Sequence, residues 1–149
     1  MDRPFAAENT KERNRLIALV GRLTDQELRL PLGKDWTIAV ALAHLSFWDQ
    51  RALFLLRRWR KSGTVAASPL DIDLTNDSLL SLWSALPPRA AADLAVSSAE
   101  QIDRELEAAP ADLIAKIEGL GENFRLYRSL HRKMHLDEIE KVLSSSSGT

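Results

Sequence analysis

The sequence predicts an all-α protein, a four-helix bundle. Three observations predict it. Apolar residues recur at helical spacing in four long stretches, proline and glycine fall mainly between those stretches, and no run alternates with the period of a strand. Four amphipathic helices with polar outer faces close most simply by packing their apolar stripes around one core.

The first stretch runs from about Ala6 to Leu23, with Leu16, Leu19, Val20 and Leu23 spaced by three and four. Thr24 and Glu27 then have the form of a capping box, which predicts a short helical turn ended by Pro31 and Gly33. The second long helix begins near Trp36-Thr37, with Asp35 or Thr37 as its cap, and runs to about Lys61. Ala39, Ala41 and Ala43 in its early turns would let a neighbouring helix come close. Ser62-Gly63-Thr64 ends it. The connection through Pro69 to Asp71-Ile72-Asp73 is long for a compact bundle. A short helix is expected from Leu74 to Leu86, capped by Thr75 or Asn76. The third main helix runs from Pro88 to about Ala108, with Leu94, Ser98, Ile102 and Glu105-Leu106 on one side. A further short turn at residues 110–114 leads, past Gly119 and Gly121, to the fourth long helix. That helix is expected from Glu122 to Leu143, where no proline or glycine interrupts.

The 149 residues suffice for one domain with a core, expected to span residues 1–149 with a flexible polar tail at 144–149. A formal net charge of −1, with both signs interspersed, offers no field for nucleic acid. No apolar run approaches the ~20 residues that span a bilayer, and the first residues lack a signal-peptide pattern, so no membrane association and a cytoplasmic location are the expectation. Cysteine is absent, which excludes disulfides, zinc–thiolate sites and a cysteine nucleophile in this chain.

All three histidines of the chain bear on one reading. His131 and His135 lie four residues apart, hence on one face of the last helix, where two imidazoles can grip one metal ion. His44 sits mid-helix among alanine, leucine and aromatic residues and can supply a third ligand from a facing helix. Three histidines with an open position make the arrangement of a catalytic metal. The bland reading is that these are hydrogen-bonded core histidines, the commoner fate of a lone H-x-x-x-H pair. Glu138 shares the His131 face and is either a fourth ligand, a base behind the ligands, or part of a solvated charge run. Arg51, two turns from His44 on the same side, either meets a substrate carboxylate or pairs with a neighbouring acid. Trp48 and Tyr127 are expected as pocket wall or core. Asp49 points away from His44 on the helical wheel.

Trp36-Thr37, Ala43-His44-Leu45, Trp48-Asp49, Asp71-Ile72-Asp73 with Asn76, and the run from His131 to Glu140 together resemble the DinB/YfiT-like superfamily, over about Glu8 to Leu143. The resemblance implies a four-helix bundle, often dimeric, so a homodimer is an expectation. It implies a divalent metal (zinc, nickel or iron) held by His44, His131 and His135. Among the family's activities are bacillithiol S-transfer and mycothiol-dependent maleylpyruvate isomerisation. The chain ends soon after its last helix and is not expected to carry the extra C-terminal domain of many such isomerases. The reading that follows is a metal-dependent transferase or isomerase using a low-molecular-weight thiol, with Glu138 or Arg51 in the chemistry. The alternatives are a metal-dependent hydrolase and a non-catalytic, stress-related binding module.

Overall fold

The computed structural model describes residues 3–147. Seven helices α1–α7 span Pro4–Arg22, Asp25–Leu28, Ile38–Ser62, Ile72–Ala85, Pro88–Ala108, Ala111–Glu118 and Ser129–Ser147. Two short strands, β1 (Pro31–Leu32) and β2 (Trp36–Thr37), pair antiparallel, with Leu32 opposite Trp36. They are the only strands among the described residues, so the all-α class holds.

Local chemistry sets the ends of these elements. Pro4 opens α1 where a missing N–H costs nothing. Thr24 and Glu27 form the expected capping box at α2. Thr37 caps α3 by accepting from the Val40 N–H at 3.1 Å, and Gly63, at φ +74°, ends it in the left-handed conformation. Asp71 caps α4 by accepting from the Leu74 N–H, so this helix starts earlier than its expected cap at Thr75 or Asn76.

The four long helices close a ring: α1 packs on α5 and α7, and α3 packs on the same two from the other side. Close approach of α3 and α5 follows from their small residues. Ala39, Ala41 and Ala43 on one, and Ala91, Ala92, Ala95 and Ala99 on the other, are all buried in one core cluster. Leu94 is exposed instead, because the buried stripe of α5 follows the alanines and then Ser98, Ile102 and Leu106. A second cluster at the other end joins Leu53, Leu56 and Trp59 of α3 to Ile102 and Leu106 of α5 and Ile114 and Ile117 of α6.

Two expectations need correction. The last helix does not run from Glu122. A single 3₁₀ turn at Asn123–Arg125 comes first, and α7 starts at Ser129. The buried Asn9 of α1 takes over the main-chain bonds there, donating to the Leu126 carbonyl at 2.8 Å and accepting from the Ser129 N–H at 2.9 Å. A tertiary partner thus replaces the helical ladder. At the other end, the serine run expected as a tail from 144 continues α7 through Ser147, and residues 148–149 of that tail lie outside the described residues.

Candidate metal centre

The i, i+4 spacing on α7 sets His131 and His135 side by side, and α3 brings His44 across from them. Nε2 of His131 lies 2.8 Å from Nε2 of His44 and 3.2 Å from Nε2 of His135. One ring nitrogen from each of the three falls within 4.8 Å of the others, a group that could hold a metal ion. Ligands at ~2.0–2.1 Å in a tetrahedral set stand about 3.3 Å apart, close to these spacings.

Burial sets the charge state. It pushes His44 down to about 3, helped by the neighbouring His135. It pushes His131 down to about 2, helped by His44 and His135. His135 is lowered by burial as well, against the opposing pull of Glu138. All three rings are therefore neutral near pH 7, the form in which imidazole binds metal. Nδ1 of His44 and of His135 are buried and have no hydrogen-bond partner among the described residues. With Nε2 of each ring turned to a metal ion, these Nδ1 atoms would carry the ring protons. Glu138 Oε1 stands 3.6 Å from Nδ1 of His135, just beyond a hydrogen bond. The donor set fits a divalent ion.

The rings are wedged by tryptophans. Trp36, at the strand before α3, lies 4.7 Å from His44 and 6.0 Å from His135, centroid to centroid, and Trp83 of α4 meets His44 edge-on at 5.4 Å. Trp48 is held by its indole N–H donating to Asn76 Oδ1 at 3.0 Å.

Beneath the histidines lies a buried ion network that sequence reasoning missed. Arg132, fully buried, grips Asp103 of α5 with two bonds of 2.9 and 2.8 Å and reaches Asp49 of α3 at 3.3 Å. Arg128 donates to the other oxygen of Asp49 at 2.9 Å, and Arg13 of α1 pairs with Asp103 at 2.7 Å. Burial disfavours the charge on Arg132, but Asp49 and Asp103 outweigh it and hold the guanidinium above its usual value. Because Arg132 directly follows His131, this clamp fixes the rotation of α7 that aims the histidines. The available signal was an arginine next to His131 with an aspartate on each of two facing helices. Asp49 is turned to Arg128 and Arg132 rather than to the histidines, as the wheel indicated.

The histidines open onto a cavity of about 550 Å³, lined also by Trp48, Leu55, Leu56, Trp59 and Arg51. Arg51 donates to the Ser68 carbonyl at 2.7 Å and to its hydroxyl at 3.0 Å, so it ties the long loop to α3. Glu138 does not line this cavity and is half exposed behind His135. Tyr127 packs edge-on against Phe5, away from the histidines.

A family model for the DinB superfamily matches residues 8–135. The chain belongs to the DinB superfamily. The match reaches from α1 through both α7 histidines, so all three histidines of this DinB protein fall inside it. Membership and the three-histidine group together fit a metal-binding protein. No curated protein and no solved structure gives a significant match to the chain. No described helix is long and apolar enough to cross a membrane.

Proposed function

We propose that this DinB-superfamily protein is a divalent-metal-dependent enzyme that transfers or isomerises with the help of a low-molecular-weight thiol. The observation that carries the reading is the convergence of three neutral imidazoles on one wall of a largely apolar cavity. His44, His131 and His135 would hold the ion, and Glu138, behind His135, would orient that ring through its Nδ1–H. When bound, the ion supplies a Lewis-acidic open position that keeps a thiol in its thiolate form at neutral pH. The protein's own share is to keep the rings neutral, to hold them in register through the Arg132 clamp, and to exclude water with Trp36, Trp48 and Trp83. With no cysteine in the chain, the sulfur comes from a small molecule.

The test is elemental analysis of protein purified without a nickel column, followed by thiol consumption against a chromogenic dinitrophenyl halide over a panel of small thiols. The expected result is one equivalent of a divalent metal, absent in His131→Ala, and a thiol-dependent rate that chelation abolishes. Glu138→Gln is expected to keep the metal but to bind it about tenfold more weakly. No metal in the parent, and none taken up from added zinc, nickel or iron, overturns the reading.

A further inference from the structure

The cavity has a charge pattern that the metal does not explain. Along α3, Arg51 lies seven residues beyond His44, a rise of about 10 Å. Arg125 and Arg128, from the turn before α7, line the same cavity. Arg128 is answered by Asp49, and Arg125 by Glu122. The bonds of Arg51 go to the neutral Ser68. Among the described residues, three arginines and no carboxylate line the cavity, and of the two acids behind them Asp49 is shared with Arg132. Positive charge is in excess, and burial together with Arg125 and Arg128 holds Arg51 below its usual value. A half-buried guanidinium with no carboxylate bonded to it, at the edge of apolar walls, favours an anionic guest.

The surroundings say what kind of anion. Beyond Arg51 the walls are Leu55, Leu56, Trp59, Leu106 and Ile117. A small polar thiol finds no match there, but an apolar or aromatic body does. We infer that Arg51, supported by Arg125 and Arg128, forms a carboxylate-binding subsite of the histidine cavity, and that the acceptor substrate is an apolar molecule bearing a carboxylate. Naming this ligand the acceptor rests on the thiol-dependent reading above, whereas the binding subsite does not.

The experiment compares 4-phenylbutyrate with its neutral counterpart 4-phenyl-1-butanol by calorimetry on the full chain. The protein is used as purified, after metal stripping, and as the variants Arg51→Gln and Ser68→Ala. The acid is expected to bind the parent on the order of tenfold more tightly than the alcohol. That advantage should persist without metal, disappear in Arg51→Gln, and survive in Ser68→Ala, which loosens the loop but keeps the cation. A melting curve for each variant establishes that it is folded. Equal binding of acid and alcohol overturns the subsite. So does an advantage that survives Arg51→Gln but vanishes on metal stripping, which assigns the carboxylate to the metal. Loss of the advantage in Ser68→Ala assigns it to the loop and also overturns the proposal. A protein that takes up no metal but keeps the Arg51-dependent preference refutes the enzyme reading alone.

Discussion

His44 and His131 carry the clearest consequence at the scale of single residues. Their folded values, about 3 and about 2, lie below the ~6.5 of an unfolded histidine. Below pH ~6.5 the unfolded chain therefore binds protons that the folded, metal-free chain refuses. Stability is complete above that pH and is lost as pH falls toward the folded values. Each ring contributes on the order of 1 kcal/mol per pH unit across that window. Metal-stripped protein is expected to melt several degrees lower at pH 5 than at pH 7, and the metal-loaded protein to lose about as much, because both folded forms hold these rings unprotonated over that range while the unfolded chain takes up protons. Thermal melts at the two pH values check this. An acid-insensitive melting temperature in the stripped protein would show that the folded rings take up protons as readily as the unfolded ones. The shared face of His131 and His135 was legible from sequence because i, i+4 spacing fixes it regardless of what packs against it, whereas the approach of His44 depends on how α3 packs. The partners of Arg51 were not legible, since the loop that carries Ser68 has no periodicity to place it.

Between α7 and its neighbours the decisive contact is the Arg132 clamp. It joins α7 to α3 through Asp49 and to α5 through Asp103, with side chains that are almost wholly buried. Removing Arg132 leaves Asp103 with Arg13 alone and Asp49 with Arg128 alone, and breaking a buried ion group of this kind costs up to about 3–5 kcal/mol. Arg132→Met is expected to lower the melting temperature by roughly 10 °C in a chain of this size. Arg132→Met combined with Asp103→Leu is expected to recover part of that loss, since the buried carboxylate that has lost its two bonds to Arg132 goes as well and the part-exposed Arg13 can turn to solvent. Calorimetric melts of the single and double variants measure the coupling, and strict additivity would mean that the clamp is not a unit. The helices themselves were readable from sequence because the caps Thr24 and Thr37, and Pro88 at the first position of α5, act on their own turn. The start of α7 was not, because Asn9 acts on it from more than a hundred residues away. Local propensity across Glu122–Arg128 favours helix, and a tertiary hydrogen bond overrides it. Phe124 and Arg125 of the 3₁₀ turn, and Arg128 after it, line the cavity.

For the molecule as a whole, the two core clusters lie along the bundle and the histidines sit beside the first. Leu16, Leu19, Leu42, Leu45, Leu136 and Ile139 fill one cluster, and Leu53, Trp59, Ile102, Leu106 and Ile114 fill the other, without help from an ion. The ring of four helices followed from sequence because four apolar stripes have few ways to close. The cavity did not, because its wall is assembled from five helices and the turn before α7 rather than from any one pattern. These clusters set the expected response to chelation. An ion bound only by the folded state adds stability that grows with the logarithm of its free concentration over its dissociation constant. Removing it should lower the melting temperature by several degrees and leave the helical circular dichroism at 25 °C unchanged. A small domain folded around its metal behaves differently and loses helix outright on chelation. The same titration followed by hydrogen exchange locates the effect. Protection should fall first in α7 around His131 and His135, where two ligands on adjacent turns lose their common partner, while Ile102 and Leu106 of α5 keep theirs. Uniform loss of protection through both clusters would mean that the ion holds the bundle together, and the centre would then be structural.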